Sequence, residues 1–129
     1  MKNRSELLKK IRPTIEIDNA KATDSEVFQG ATLRPVLKLQ NDLIISLFNN
    51  YLSEHKFEVK NMTDSKKIEH INHTLKNNLQ LKQLLSGSVI GQFTDEELAF
   101  YYLDKKEISK RIVMLLIERI CGQLESIVF

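Results

Sequence analysis

The chain has 129 residues, of which 42% are hydrophobic and 28% charged, and its formal net charge is +2. This length suits one domain that can bury a core without disulfide bonds. The small net charge argues against proteins that bind nucleic acid or membranes through bulk electrostatics. The single cysteine, Cys121, cannot form a bridge within the chain, as is typical of the reducing cytoplasm. No apolar run is long enough for a secretory leader or a transmembrane helix, so we expect a cytoplasmic protein that does not span a membrane.

The N-terminal part, residues 1–27, is predicted to be a short helix followed by a polar arm. Ser5 can cap this helix, and Pro13 stops it. The arm is predicted to be a linker or to lie on the surface of the domain. At its end, the residues from Asp24 to Gln29 are predicted to make one helical turn that ends at Gly30.

The second part, residues 28–129, is predicted to be one helical bundle. A helix is predicted from Pro35 to His55, because proline suits the first helical turn and apolar residues cover a broad arc. Thr94 and Glu97 have the spacing of a capping box at the start of another helix. Shorter helices are predicted over residues 65–77, 79–86 and 94–103.

The last helix, from Lys105 to about Ile127, is the most informative element of the chain. Its apolar positions sweep roughly 260° of the circumference at ~100° per residue, whereas a surface helix needs an apolar stripe of little more than ~100°. Its own domain or another chain must therefore surround it. We predict an all-α, single compact bundle of five or six helices with this C-terminal helix at its centre, and no strand.

No pattern of catalytic or metal-ligating residues is found in the sequence. His70 and His73 have a spacing that suits a metal, but no cysteine or third histidine is nearby in sequence. We interpret both as side chains on a solvated face. The acidic run from Asp95 to Glu97 is explained by helix capping, and no nucleophile elbow is present. We therefore predict no catalytic residue, no metal and no cofactor.

Six polar residues beside apolar faces are the candidate contacts for a partner or ligand. Gln40 and Asn41 fall inside the apolar arc of the 35–55 helix, where an unpaired amide costs about 1–3 kcal/mol. They could pair with a helix end or a neighbouring helix, fix the register of a helix pair, or form a ligand site. Arg34 and Arg119 could extend to the surface or pair with a buried carboxylate. The whole set is Arg34, Lys38, Gln40, Asn41, Arg111 and Arg119.

Three stretches of the chain, Thr32–Asp42, Gly91–Glu97 and Lys110–Arg111, resemble a group of small all-helical bacterial proteins without an established activity. The likeness covers residues 28–120. Some members of that group carry the name glyoxalase. The glyoxalase fold requires repeated βαβββ units and metal ligands on strands, and this sequence has neither. The resemblance therefore implies a helical fold and assigns no catalytic residue.

Three functions are consistent with these patterns. The first is a non-enzymatic protein–protein interaction or regulatory module, either an adaptor with a helix-lined groove or a homodimer that buries the broad faces of the 35–55 and 105–127 helices. The alternative is a small-molecule-binding or enzymatic bundle with a pocket between helices. The third is nucleic-acid binding, which the scattered basic residues do not favour. In the pocket alternative, five side chains would converge on one cavity: Gln40, Asn41, His55, Tyr101 and Tyr102.

Overall fold

The computed structural model describes residues 3–13, 23–57 and 61–127. These residues form seven helices and no strand. Two short segments, α2 and α3, count as one helix because the π-helical residues Gln29–Leu33 join them without a break. The helical segments are α1 (Arg4–Ile11), α2 (Asp24–Phe28), α3 (Arg34–Leu39), α4 (Asn41–Glu54), α5 (Asp64–Asn77), α6 (Leu79–Ile90), α7 (Asp95–Leu103) and α8 (Lys105–Cys121).

The all-α fold is confirmed, although seven helices replace the predicted five or six. The turn predicted to end at Gly30 continues instead through a π-helical stretch into α3. Burial explains this continuation, because Phe28 and Leu33 on either side of the glycine both lie in the core. A glycine costs a helix only about 1 kcal/mol relative to alanine, and burying two large side chains outweighs that cost.

The helix predicted from Pro35 to His55 bends at Gln40, which separates α3 from α4. Gln40 has φ −90° and ψ 5°, outside the helical values. Its side-chain nitrogen Nε2 donates a hydrogen bond to the Ser88 carbonyl oxygen on α6, at 2.9 Å. The bend thus coincides with a contact to a residue 48 positions away, which the local sequence pattern does not contain.

The N-terminal helix α1 begins one residue earlier than predicted, because Asn3 rather than Ser5 caps it. The Asn3 side chain accepts a hydrogen bond from the Glu6 amide at 2.9 Å. The Ser5 hydroxyl instead accepts from the Asp95 amide at 3.0 Å and so joins α1 to the start of α7. Most of the predicted polar arm, residues 14–22, lies outside the described residues.

The last helix, α8, lies at the centre of the bundle, where it packs against α5, α6 and α7. It ends at Cys121 rather than near Ile127, and a short 3-10 turn, Leu124–Ser126, follows it. The Gln123 side chain explains the early end, because it donates to the Arg119 carbonyl oxygen at 2.9 Å and satisfies a group that a longer helix would have bonded. The buried residues of α8 are Ile108, Ile112, Leu115, Leu116, Ile117 and Ile120.

The bundle does not surround α8 completely. Met114 is 64% exposed, and Val113 beside it is only partly buried. These positions belong to the wide apolar arc that predicted a surrounded helix. No helix in the described part of the chain is both long and apolar enough to cross a membrane.

Candidate functional site

A cleft of about 340 Å³ lies between α3 and the C-terminal end of α8. We refer to it as the arginine cleft, because Arg34 and Arg119 both line it. Leu37 and Leu115, both almost fully buried, contribute its apolar surface. The residues that line the arginine cleft are Arg34, Leu37, Leu115, Glu118, Arg119, Gly122 and Gln123.

A hydrogen-bonded amide pair holds Arg119 in this cleft. Gln123 Nε2 donates to Asn41 Oδ1 at 2.7 Å, and Asn41 Nδ2 donates back to Gln123 Oε1 at 3.0 Å. Arg119 Nη1 donates to the same Asn41 oxygen at 3.1 Å. Asn41 therefore belongs to a network that links the start of α4 to the end of α8, and the amide predicted to lie in an apolar arc is satisfied.

The two arginines of the cleft carry unneutralised charge. Neither forms an ion pair within the described ranges of the chain. Burial lowers the pKa of Arg119, and the nearby charge of Arg34 lowers it further. Two like charges side by side repel each other, so an anion placed between them would be attracted by both.

Of the six predicted contact residues, Arg34 and Arg119 line the arginine cleft, and Asn41 bonds to two of its lining residues. The other three lie elsewhere. Lys38 is exposed one helical turn beyond Arg34 and does not line the cleft. The Gln40 side chain contacts the Ser88 carbonyl, as described above. Arg111 donates to Gln29 Oε1 at 3.1 Å and lies 3.8 Å from a Glu107 carboxylate oxygen. The structure thus brings together Arg34, Asn41 and Arg119.

The five side chains predicted to converge on one cavity in the small-molecule-binding or enzymatic alternative do not line a common cavity. Tyr101 lines the space between α6 and α8, whereas His55 lines a separate cavity of about 160 Å³ beside α4. Asn41 belongs to the arginine cleft network. Tyr102 is exposed at the end of α7.

A second and larger concave surface, of about 780 Å³, runs between α6 and α8. We refer to it as the apolar groove. Leu79 and Ile90 lie on its α6 side, and Val113 and Met114 lie on its α8 side. Leu79 is 60% exposed and Met114 64%. The remaining residues that line it are Lys76, Lys82, Gln83, Ser86, Gly87, Tyr101, Ser109 and Lys110.

The lining of the apolar groove carries positive charge. Lys76, Lys82 and Lys110 line it, and none of its described lining residues is acidic. None of the three lysines forms an ion pair in the part of the chain that the structure describes. Sequence reasoning missed this groove, and its only signal was an apolar arc on the last helix wider than a surface helix requires.

The two histidines at metal-like spacing are engaged in local contacts. His70 stacks on Phe57 with ring centroids 3.7 Å apart, and burial followed by the charge of His73 lowers its pKa. His73 lies within 3.2 Å of the Asn77 side chain. No group of three or more histidine, cysteine, aspartate or glutamate residues in the described ranges could hold a metal ion.

No protein-family description, no curated protein and no solved structure matches this chain. The resemblance to small bacterial helical proteins is therefore still a prediction.

Proposed function

We propose that the protein is a non-enzymatic interaction module that binds a helix of a partner protein in the apolar groove. The observation that carries this proposal is the exposure of Leu79 and Met114 on facing walls of one groove. Isolated apolar residues on a surface are ordinary, but a concave apolar surface with a polar margin is typical of a binding site. A groove between two helices suits an amphipathic helix that inserts its apolar face.

The charge of the groove indicates which kind of helix would bind. Lys76, Lys82 and Lys110 line the groove without acidic neighbours in its lining. An acidic amphipathic helix would place its apolar residues against Leu79 and Met114 and its carboxylates near the lysines. Such complementarity raises the rate of association and selects against basic partners.

A glycine in the wall of the groove supports the approach of a partner helix. Gly87 lies inside α6, where glycine is about 1 kcal/mol less favourable than alanine. A Cβ atom added there would meet nothing within 4 Å. The protein's own packing therefore does not require this glycine. A partner backbone that lies close to α6 would require it.

The same charges favour a different protein over a second copy of this chain. Two copies related by a twofold axis through the groove would bring the lysines of one groove toward the lysines of the other. Like charges in an interface oppose association. The homodimer and the cytoplasmic location stay predictions, and we propose an acidic partner in the cytoplasm.

The test uses two designed helical peptides with identical apolar faces. One carries glutamate on its polar face and the other carries lysine. We expect the acidic peptide to shift the Met114 methyl signal in NMR spectra and to bind more weakly as salt increases. The basic peptide should leave this signal in place.

A pair of variants provides the control. Leu79→Ser with Met114→Ser should weaken binding about tenfold or more, because burying one such side chain is worth about 1.5–3 kcal/mol. Because this variant lacks the Met114 methyl group, binding by the variants is followed by the fluorescence anisotropy of the labelled acidic peptide. Leu84→Ser alters a residue of the same helix that is 53% exposed and lines a different cavity, so it should bind as the unaltered protein does. Equal binding of both peptides, or equal losses in both variants, would contradict the proposal.

A further inference from the structure

We infer that the arginine cleft is a second binding site, for a small molecule that carries a phosphate or carboxylate group on an apolar body. Arg34 and Arg119 line this cleft together, and no ion pair within the described residues neutralises either one. A guanidinium group presents a planar fork of donors that matches the oxygen atoms of both kinds of anion. The site is separate from the apolar groove and does not depend on the function proposed for it.

The cleft is organised in advance for a ligand. Arg119 is held by the Asn41 oxygen, and Asn41 is held by its two hydrogen bonds with Gln123. One guanidinium is thus fixed, whereas Arg34 is exposed, and its side chain makes no hydrogen bond to another described residue that would hold it away from a ligand. A fixed donor set loses less entropy when the ligand binds.

The end of α8 does not oppose an anion as strongly as a bare helix C-terminus would. The carbonyl oxygens of Glu118 and Arg119 accept hydrogen bonds from the Gly122 amide and the Gln123 side chain. The Ile120 carbonyl accepts from the Gln123 amide at 3.1 Å. Because these groups are satisfied, the negative end of the helix dipole is partly compensated before a ligand arrives.

The size and the surface of the cleft indicate that the ligand is larger than a simple ion. Pockets for small molecules usually measure about 300–1,000 Å³, and this cleft encloses about 340 Å³. Leu37 and Leu115 line it beside the arginines, which suits an apolar or planar body attached to the anionic group. Glu118 also lines the cleft and carries the one negative charge in its described lining.

Three probes distinguish the possible ligands: inorganic phosphate, phenyl phosphate and benzoate. Each is titrated at constant ionic strength while the backbone amide signals of Gly122 and Gln123 are followed by NMR. We expect phenyl phosphate to bind several-fold more tightly than phosphate, because phenyl phosphate, unlike phosphate, has an aromatic ring that can stack on a guanidinium group. The comparison of phenyl phosphate with benzoate shows whether the cleft prefers phosphate or carboxylate.

Four variants test the roles of the charges. Arg34→Gln and Arg119→Gln should each weaken binding of the best probe about tenfold, since each removes charge-assisted hydrogen bonds. Glu118→Gln should strengthen it a few-fold because it removes a repelling charge. Lys106→Gln removes the same charge from an exposed position of α8 outside the cleft and should leave binding within about twofold, as screened distant charges do.

Two results would overturn the inference. One is the absence of any shift with all three probes at millimolar concentration. The other is an equal loss in Arg34→Gln and Lys106→Gln, which would indicate unspecific attraction to a cationic surface. Arg34 is exposed and has no partner among the described residues, so Arg34→Gln should fold and keeps the test decisive even if Arg119→Gln does not fold.

Discussion

At the scale of single residues, Arg12 and Glu97 form an ion pair that is largely buried. The two side chains are 7% and 13% exposed. Arg12 donates to both carboxylate oxygens, at 2.6 Å and 3.0 Å. Thr32 Oγ1 also donates a hydrogen bond to the Glu97 carboxylate, at 2.7 Å. The Thr94 amide donates another to the same carboxylate, at 2.8 Å. The Glu97 carboxylate therefore completes the capping box of α7. It also connects the C-terminal end of α1 to the rest of the bundle.

Replacing Glu97 with alanine should destabilise the protein strongly. The substitution leaves the buried Arg12 charge without its partner, and breaking a buried pair in this way costs about 3–5 kcal/mol. Glu96→Ala is the matched control, because Glu96 is exposed on the same helical turn and should cost less than about 0.5 kcal/mol. Urea unfolding followed by circular dichroism measures both. Similar losses in the two variants would show that the ion pair does not stabilise the fold.

The same carboxylate should make stability depend on acid. Burial raises the pKa of Glu97, but hydrogen bonds from Arg12, Thr94 and Thr32, together with the charge of Arg12, lower it below its ordinary value of 4.5. A group whose pKa is lowered by folding stabilises the protein fully above its unfolded-state pKa, and this contribution is lost as the pH falls through the folded-state pKa.

We therefore expect the free energy of unfolding to decrease as the pH is lowered below 4.5. This decrease should be less steep in Glu97→Gln. The measurement is chemical unfolding of both proteins at a series of acidic pH values. Parallel curves for the two proteins would mean that Glu97 does not carry the acid sensitivity.

At the scale of elements, α6 is both a helix of the bundle and one wall of the apolar groove. At Gly87 the residue that best stabilises the helix differs from the residue that best suits the proposed partner. Gly87→Ala should stabilise the free protein by about 0.5–1 kcal/mol, because alanine suits a helix interior better than glycine. The same substitution should weaken binding of the acidic peptide, since a methyl group then stands where a partner backbone approaches. Thermal unfolding and the peptide titration measure the two effects.

Gly91→Ala gives the contrast for the stability effect. A Cβ atom at Gly91 would lie 3.1 Å from the Gly87 carbonyl oxygen, so alanine should bring no comparable gain there. If Gly87→Ala stabilised the protein and left peptide binding unchanged, Gly87 would not be part of the binding surface.

The elements show how far local patterns predict this structure. The capping box of Thr94 and Glu97 is confirmed, because both of its partners lie three residues apart. The bend at Gln40 and the π-helical stretch at Gly30 could not be predicted, because they accompany contacts with distant residues. Gln40 bonds to Ser88 on α6, and Phe28 beside Gly30 packs edge-on against Phe93.

At the scale of the whole molecule, the composition predicted the class of fold, but the positions of the binding surfaces depend on how the helices pack. Arg34 and Arg119 stood out in the sequence as charges beside apolar faces, yet nothing there indicated that they share a cleft. Leu79 and Met114 are apolar, as the core residues are. Which apolar positions of a helix stay exposed is decided only by its neighbours, so the apolar groove required the structure.

The central claim, that the apolar groove binds an acidic helix of another protein, is tested most directly in the cell that makes the protein. A photo-reactive amino acid is placed at Met114, on the groove, and in a matched variant at Leu84, on the other side of α6. We predict that the residue at 114 forms a crosslink to another protein, mapped by mass spectrometry to an acidic amphipathic helix, and that the residue at 84 does not. Crosslinks only to a second copy of this chain, or the same products from both positions, would contradict the claim.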